Sequence, residues 1–434
     1  SLLTAARFRN CRTPLAELLR PERKHDGYHL HWHEGIRIEV RRLRRSSGDL
    51  LCELTIVDAT TGDDLIHFAP RINLSASETV SRLSRHLSDR AGHINWAECL
   101  TQLVYIVIQA ERIGKPAVSM AEIDEPVDTG YLVKNWILPA LPTSLFGLGG
   151  TGKTWIGLTL LTAAFHGMPF LIYFPQRSLK VGMWDYENNE KLTRSRLGRV
   201  ARGMGLSVPN VIYRRLELPL PEYEEVLARD IEQYELDLVL LDSFGLATGG
   251  SQNKDELVLA TYTTLRRLGV STFIIDHESK ESANSKEGGY AIGSVYKHNS
   301  SRITWHVKAT KESQETNDLF LRLTNTKANE DKRLGPFGIH MHFGEDFVRA
   351  QRIDLADLPD DLTQGMTLSL RIVLALQQQT KMSTAELADL LGEKHDTMRV
   401  RLNELERRHR IVRLEGDQGG RGHESTWGLR SDVE

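Results

Sequence analysis

The chain has 434 residues, of which 40% are hydrophobic and 26% are charged, and this length predicts two or three domains rather than one core. The 55 Lys and Arg residues nearly balance the 58 Asp and Glu residues, which leaves a formal net charge of −3. This composition excludes a disordered chain and a polyelectrolyte, so any contact with nucleic acid must come from local basic patches.

The first 116 residues predict an α+β domain, because strand-length apolar runs separated by SSGD and TTGDD turns precede two amphipathic helices. His29, His31 and His33 alternate along one strand. They predict either a metal site or a solvated edge strand, and the lack of carboxylates or cysteines at ligand spacing favours the edge strand.

Three widely spaced cysteines, with no CxxC pair, and the absence of a long apolar run predict a cytoplasmic protein. Residues 117–131 lack periodicity and predict a linker.

Residues 132–348 alternate between helix and strand patterns, which predicts an α/β core with a mostly parallel sheet covered on both faces. Three further strand-like runs, RITWHVKA, DLFLRLTNT and FGIHMHF, have no helix between them and predict antiparallel edge strands. Residues 349–366 predict a second linker. Residues 367–434 predict three helices and two short strands, with Ser383 and Glu386 spaced as a capping box and Gly392 ending the same helix.

A phosphate site is predicted by the stretch GLGGTGKT, which fits the P-loop pattern G-x-x-x-x-G-K-[ST]. It follows an apolar strand and opens a helix, so main-chain N–H groups and the helix N-terminus would face phosphate oxygens. Lys153 would neutralise the β and γ phosphates, and Thr154 would ligate Mg²⁺. A plain glycine-rich turn is the alternative. The predicted nucleotide-binding residues are Gly147, Gly149, Gly150, Thr151, Gly152, Lys153, Thr154 and Asp242.

Three other residues are candidates for the metal and the attacking water. Asp242 ends the apolar run DLVLLD at the Walker-B position, where it would hold the metal together with Thr154. Ser243 then occupies the position at which many P-loop ATPases carry a catalytic glutamate. The other common solution places that glutamate at the end of the strand next to the P-loop strand. VGMWDYENNE supplies Glu187 there, with Asp185 as the second candidate.

His277, in the run FIIDHESK, ends the predicted strand that comes after the DLVLLD strand in the sequence. A polar side chain at this position could contact the γ-phosphate and sense its loss, whereas a structural histidine is the alternative.

In order and spacing, the runs LFGLGGTGKT, VGMWDYE, LVLLDSF and FIIDHESK resemble the RecA-fold ATPases of the RepA and DnaB type, the hexameric-helicase branch. This resemblance implies a RecA-like core, Glu187 as the catalytic glutamate, His277 as a switch residue, and nucleotide held between the subunits of a ring. It also implies a basic finger that acts in trans. Arg333 matches the arginine of the family's K-x-R-x-G-P-like run, but Asp331 replaces its lysine. Lys327 and a mere charged hairpin turn are the alternatives. By the same resemblance, the N-terminal domain would serve assembly or partner docking.

Two segments are candidates for nucleic-acid contact. The polar loop HESKESANSKEGGYAIGSVYKHNSSR carries cations and tyrosines suited to single strands, with Lys280, Lys286 and Lys297 among the cations. The C-terminal segment resembles a winged helix-turn-helix, and Arg399 and Arg401 lie on its predicted recognition helix. The helix residues expected to face a DNA groove are His395, Thr397, Met398, Arg399 and Arg401. A solvated loop and a winged helix used for protein contact are the alternatives.

These features predict a DNA-dependent, magnesium-using ATPase that forms a homo-oligomeric ring, most simply a hexamer, and moves along single-stranded DNA. The winged helix would add contact with duplex DNA. No guanine-specifying NKxD motif is present, so we expect ATP rather than GTP. Two alternatives remain: a recombination or repair mediator of the same fold, and an ATP-switched DNA-binding regulatory protein without unwinding activity.

Overall fold

The computed structural model describes residues 21–24, 27–32, 35–46, 49–113, 117–123, 130–250, 254–278, 295–310, 317–363, 366–414 and 425–430. The chain divides into two compact units, the first made of residues 1–127 with Glu224–Arg229 and the second of all other residues. Within the described ranges, no helix combines the length and the apolar character that crossing a bilayer requires.

The first unit contains an antiparallel sheet of five strands in the order β1-β2-β3-β4-β5, and two helices. Alternate residues of the strands face a core, as Leu54 and Ile56 show by being fully buried. Leu87 and Leu103 of the two helices belong to the same core. The elements are β1 (Glu22–Lys24), β2 (Gly27–Trp32), β3 (Ile36–Ser46), β4 (Asp49–Asp58), β5 (Asp64–Asn73), α1 (Ser77–Arg90) and α2 (Trp96–Ile113).

The histidine-bearing strand of this unit is β2, and it is not the edge strand that the sequence predicts. It pairs with β3 on one side and with β1 on the other. His29 is half-buried and His31 is exposed, whereas His33 lies outside the described residues. The prediction failed because β1 has only three residues, all of them charged (Glu-Arg-Lys), and so carries no apolar alternation that would mark it as a strand.

The second unit is built on a nine-stranded sheet with the order β14-β13-β12-β11-β6-β10-β9-β7-β8. Five adjacent strands are mutually parallel, in the order β6, β10, β9, β7 and β8. Those in the middle of the sheet are almost wholly apolar, as expected of strands buried on both faces. Its strands are β6 (Pro142–Gly147), β7 (Val181–Asp185), β8 (Val211–Arg215), β9 (Leu238–Asp242), β10 (Ser271–His277), β11 (Ile303–Ala309), β12 (Asp318–Ala328), β13 (Phe337–Phe343) and β14 (Val348–Ile353). The helices between them are α3 (Lys153–His166), α4 (Glu190–Met204), α5 (Glu224–Tyr234), α6 (Phe244–Ala247), α7 (Asp255–Leu268) and α8 (Val295–Ser300).

The side of this sheet that runs from β11 to β14 differs from the prediction in three respects. β11 pairs in parallel with β6 rather than antiparallel, and the antiparallel pairs are β11 with β12, β12 with β13 and β13 with β14. A short helix, α8, precedes β11, and its six residues are too few to show a helical period in the sequence. The sheet also continues beyond residue 348, because most of β14 is formed by residues 349–353, which the sequence analysis placed in a linker.

Of the C-terminal residues of the second unit, those that the structure describes form four α-helices and a small sheet in the order β15-β17-β16. The capping box is confirmed, since Ser383 Oγ accepts from the Glu386 N–H and the Glu386 carboxylate accepts from the Ser383 N–H. Gly392 ends that helix with φ +65°, as predicted. The elements are α9 (Asp360–Thr363), α10 (Leu368–Gln378), β15 (Lys381–Ser383), α11 (Thr384–Leu391), α12 (His395–Arg407), β16 (Ile411–Arg413) and β17 (Thr426–Leu429).

Candidate functional site

The P-loop connects β6 to α3 at the carboxyl edge of the parallel strands. Gly150 (φ +76°) and Gly152 (φ +72°) adopt left-handed backbone conformations that disfavour any side chain. Gly152 is also the N-cap of α3, so the positive end of the helix dipole faces the loop. The glycines thus allow the sharp turn that the phosphate-binding prediction requires.

Gly147 and Gly149 offer a matched test of this packing. A Cβ on Gly147 would lie 2.4 Å from the Val307 main-chain oxygen, whereas a Cβ on Gly149 would meet no atom within 4 Å. Gly147→Ala is therefore expected to lower the free energy of unfolding by about 1–3 kcal/mol through overpacking. Gly149→Ala should change it by less than about 0.5 kcal/mol. Urea denaturation without nucleotide measures both, and equal stability of the two variants would contradict the close contact between the loop and β11.

Lys153 is buried at the start of α3. Its Nζ donates to the main-chain oxygens of Gly147 (2.9 Å) and Leu148 (2.6 Å), so the ammonium group lies inside the curve of the loop. Burial lowers the pKa of Lys153 to about 8, against the opposing pull of Asp242 and other nearby carboxylates. A bound triphosphate would supply the negative charge that favours the ammonium form.

Thr154 and Asp242 fit the predicted magnesium site. The Thr154 hydroxyl donates to Asp242 Oδ2 at 2.7 Å, although the two residues are 88 positions apart. Burial, helped by the charges of Glu187 and Asp185, raises the pKa of Asp242 to about 7 against the lowering effect of the hydrogen bond from Thr154. The second oxygen, Oδ1, is buried and has no hydrogen-bond partner among the residues that the structure describes. A buried carboxylate oxygen without a partner beside a threonine hydroxyl suits a hydrated Mg²⁺.

Glu187 lies beside this pair, in contact with two other predicted positions. Its Oε1 accepts from the Ser243 hydroxyl at 2.7 Å and lies 3.3 Å from His277 Nε2. The hydrogen bond with His277, followed by that from Ser243, lowers the pKa of Glu187 to about 2 against the effect of its partial burial. Glu187 is therefore a carboxylate at neutral pH, and it can accept a hydrogen bond from water.

Asp185 is the second candidate for the residue that activates water, but its carboxylate accepts hydrogen bonds from the main chain instead. The side chain is fully buried. Oδ1 accepts from the main-chain N–H groups of Glu187 (2.9 Å) and Asn188 (2.8 Å), and Oδ2 accepts from the Thr193 hydroxyl (3.0 Å). Its carboxylate shapes the turn that carries Glu187, so the geometry favours Glu187 as the residue that faces the site.

The strand order corrects the route by which Glu187 reaches the P-loop. The sequence predicts that its strand, β7, lies next to the P-loop strand, but β10 and β9 lie between β6 and β7. Ser243, at the end of β9, contacts Glu187 across this gap, and so does His277, at the end of β10. The bridging role of Ser243 was missed by sequence reasoning, although its place directly after Asp242 was the available signal.

A buried ion pair and a buried carboxylate–histidine contact flank His277, and the sequence patterns predict neither. Lys297 Nζ donates to Asp276 Oδ2 at 2.7 Å, and both side chains are at most 4% exposed. Glu278 Oε2 lies 2.8 Å from His306 Nε2, and the His306 ring stacks on Phe146. Lys297, expected on a loop that grips nucleic acid, is therefore buried beside β10.

Arg333 is exposed in the turn between β12 and β13, where its guanidinium approaches the Thr326 main-chain oxygen at 3.5 Å. Leu319, at the other end of β12, lies next to Gly152 of the P-loop. The seven residue steps from Leu319 to Thr326, whose main-chain oxygen the guanidinium approaches, span roughly 23 Å at about 3.3 Å each. Arg333 is thus far from the nucleotide site of its own chain. The neighbouring Asp331, which replaces the expected lysine, pairs with Lys134 at 3.2 Å.

The predicted nucleic-acid contacts are only partly described. Lys280 and Lys286 lie outside the described residues. On α12, Arg399 is exposed, whereas Arg401 pairs with Glu404 of the same helix at 2.5 Å. Met398 was expected to face a groove but is fully buried in the core of the C-terminal helices, because it follows the same helix face as Leu402 and Leu405.

A protein-family profile described as an AAA domain matches residues 110–283, which include the P-loop, Glu187, Asp242 and His277. Among solved structures, the chain is similar to a KaiC-like protein from the hyperthermophilic archaeon Pyrococcus horikoshii, with 13% identity and a TM-score of 0.37; the alignment covers 52% of this chain and 98% of that one. No curated protein matches the chain. The AAA-domain match and the P-loop geometry support an ATP-hydrolysing P-loop NTPase, and the large mixed sheet with its helices fits a RecA-like core.

Proposed function

We propose that this protein is a DNA-dependent ATPase that assembles into a ring and couples ATP hydrolysis to movement along single-stranded DNA. One observation carries the proposal: Glu187 lies in hydrogen-bond contact with both Ser243 and His277, beside the Thr154–Asp242 pair and the P-loop lysine. A carboxylate for water, a site for the metal and a site for phosphate thus lie at one edge of one sheet.

Each residue has a distinct role in the proposed hydrolysis. Lys153 and the P-loop N–H groups hold the phosphates, which leaves the γ-phosphate facing Glu187. Thr154 and Asp242 would hold Mg²⁺, which supplies positive charge to the phosphate oxygens. Glu187 accepts a hydrogen bond from the attacking water and orients it. His277 responds to the loss of the γ-phosphate through its contact with Glu187.

The position of Arg333 supports an oligomer. An arginine roughly 23 Å along the strand from its own P-loop cannot stabilise the transition state there, but it can reach the nucleotide of a neighbouring copy at a subunit interface. A ring closes such head-to-tail contacts, and a hexamer is the number that the sequence resemblance implies. We therefore propose that the complete catalytic site forms between two copies.

The C-terminal residues are proposed to bind duplex DNA as a winged helix-turn-helix. Three helices and a three-stranded sheet follow one another in the order α10, β15, α11, α12, β16, β17, and α12 exposes the basic residues Arg399 and Arg407 on its surface. Such a helix can enter the major groove while its arginines contact phosphates. The loop that includes Lys280 and Lys286 remains the proposed contact for single strands.

The ATPase rate is expected to rise when single-stranded DNA is added and to rise much less with duplex DNA. Phosphate release measured with each DNA tests this directly, and unwinding of a forked substrate separates a helicase from a recombination or repair mediator. Stimulation by duplex DNA alone would favour the ATP-switched regulatory protein. An ATPase indifferent to any DNA would overturn the proposal.

The basic surface of α12 has its own test. The double variant Arg399→Ala/Arg401→Ala is expected to lower the slope of log affinity for duplex DNA against log salt by about 2, roughly one per lost phosphate contact. The control is Arg82→Ala/Arg85→Ala, which removes two exposed arginines from α1 and changes the net charge equally. If both double variants have the same slope, α12 does not contact the DNA backbone.

A further inference from the structure

A cluster of two histidines and one aspartate lies outside the nucleotide site. Asp318 begins β12, and His340 and His342 are on the neighbouring strand β13. Asp318 is the direct cross-strand partner of His342, and His340 is two residues away on the same face of the sheet. The antiparallel pairing therefore brings Asp318 to two histidines that are more than 20 positions away from it in the sequence.

The three potential ligand atoms already converge. Asp318 Oδ1 lies 2.6 Å from His340 Nε2 and 2.8 Å from His342 Nδ1, and all three ligand atoms lie within 4.8 Å of one another. In a tetrahedral zinc site with metal–ligand bonds of about 2.0–2.1 Å, neighbouring ligand atoms are separated by about 3.3 Å. Small side-chain rotations that widen the two contacts by less than about 1 Å would open room for an ion.

Both imidazole rings are held in place by aromatic neighbours. The His340 ring stacks on Phe320, with 4.7 Å between centroids and 11° between planes, and the His342 ring contacts Phe347 at 5.7 Å. Such packing limits ring rotation and so reduces the entropy lost when a ligand binds. The side chains of Asp318, His340 and His342 remain 32%, 29% and 42% exposed, which leaves an open approach from solvent.

We propose that Asp318, His340 and His342 bind a divalent transition metal ion of the zinc class, with water in the remaining position. Two imidazoles and one carboxylate suit zinc or cobalt, whereas Mg²⁺ prefers oxygen ligands, so this site is chemically distinct from the magnesium site at Asp242. On binding, each ligand nitrogen gives its lone pair to the metal. Its proton moves to the other ring nitrogen or, from a charged ring, is released to solvent.

The site connects to the P-loop through the opposite face of the same strands. Leu319 and Met341 come directly after Asp318 and His340, and their side chains lie 3.0 Å and 3.5 Å from the position that a Cβ on Gly152 would take. Phe343, which follows His342, packs edge-on against Trp155 of α3 at 5.5 Å. A metal that links β12 to β13 would therefore stiffen the surface on which the start of α3 rests.

The test is titration of the nucleotide-free protein with Co²⁺ in excess Mg²⁺, followed by competition with Zn²⁺. We expect the visible absorption bands of tetrahedral cobalt, saturating at one ion per chain, and their loss on adding Zn²⁺. Asp318→Asn and His342→Gln should each weaken binding by about 100-fold or more, beyond the 10–100-fold typical of losing an outer partner of a metal ligand. Zn²⁺ should raise the unfolding temperature of the wild type but not of either variant.

His31→Gln is the matched control, because His31 is an exposed histidine on a strand outside the cluster. It should bind cobalt as the wild type does. The unfolding temperatures of all variants in EDTA should agree with that of the wild type, since the cluster is half-exposed, and this agreement shows that each variant is folded. Absence of the cobalt bands in the wild type, or their persistence in both cluster variants, would overturn the site.

Discussion

Glu187→Gln is expected to lower the kcat of ATP hydrolysis by about 10²–10⁴-fold, the usual contribution of a positioned acid or base. The change keeps the size of the side chain and its ability to accept from Ser243 and His277, but it removes the negative charge that orients water. The affinity for ATP should stay within about threefold, because Lys153, Thr154 and Asp242 hold the nucleotide. Steady-state phosphate release and binding of a fluorescent ATP analogue measure the two effects separately.

Glu190→Gln is the control for this variant, since Glu190 is an exposed acid three residues further along, in the first turn of α4. It should hydrolyse ATP at the wild-type rate. Ser243→Ala should lower kcat less than Glu187→Gln does, because it removes one contact that positions the carboxylate and leaves the carboxylate itself. A Glu187→Gln variant with normal turnover would show that another group activates water. Asp185 is a poor substitute, because its oxygens already hold the backbone of the turn.

The residues expected to hold phosphate and metal were predictable because they lie within one contiguous motif or at the end of an apolar strand. The P-loop is one contiguous motif, and Asp242 ends a run of apolar residues whose short length favours a buried strand over a helix. The structure places Lys153, Thr154 and Asp242 together as this pattern implies. Their chemistry stays a prediction, but their proximity follows from the sequence.

The strand order was not predictable, because β7, β9 and β10 are all buried strands with an apolar centre. Each could neighbour β6 as far as composition shows. For this reason the prediction that the strand of Glu187 lies next to β6 is wrong, although the side chain does reach the site. Similarly, the burial of Lys297 depends on tertiary contacts, and the proximity of Asp318 to His340 and His342 depends on cross-strand pairing. Neither kind of contact produces a periodic pattern in the sequence.

Lys297→Met is expected to lower the free energy of unfolding by about 3–5 kcal/mol, because it leaves the Asp276 carboxylate buried without its cation. Burial raises the pKa of Asp276, and Lys297 opposes this effect, so the ammonium group favours the ionised carboxylate. Lys297 also lies over the Phe244 ring at 4.8 Å, and a methionine side chain can retain that apolar contact. Urea denaturation measures the loss, and Lys254→Met, which removes an exposed lysine, should be nearly neutral.

The double variant Asp276→Asn/Lys297→Met separates the two causes of this loss. Asparagine removes the buried charge but can still accept from the His277 N–H, which now donates to Asp276 Oδ1 at 2.8 Å. The double variant should therefore be more stable than Lys297→Met alone, because the uncompensated charge is gone. If Lys297→Met unfolds as the wild type does, or if the double variant is the less stable of the two, Asp276 is not held as a carboxylate by Lys297. In that case the backbone at His277 is held by the strand pairing of β10 and by the contact of Glu278 with His306, and the ion pair has no part in positioning the histidine against Glu187.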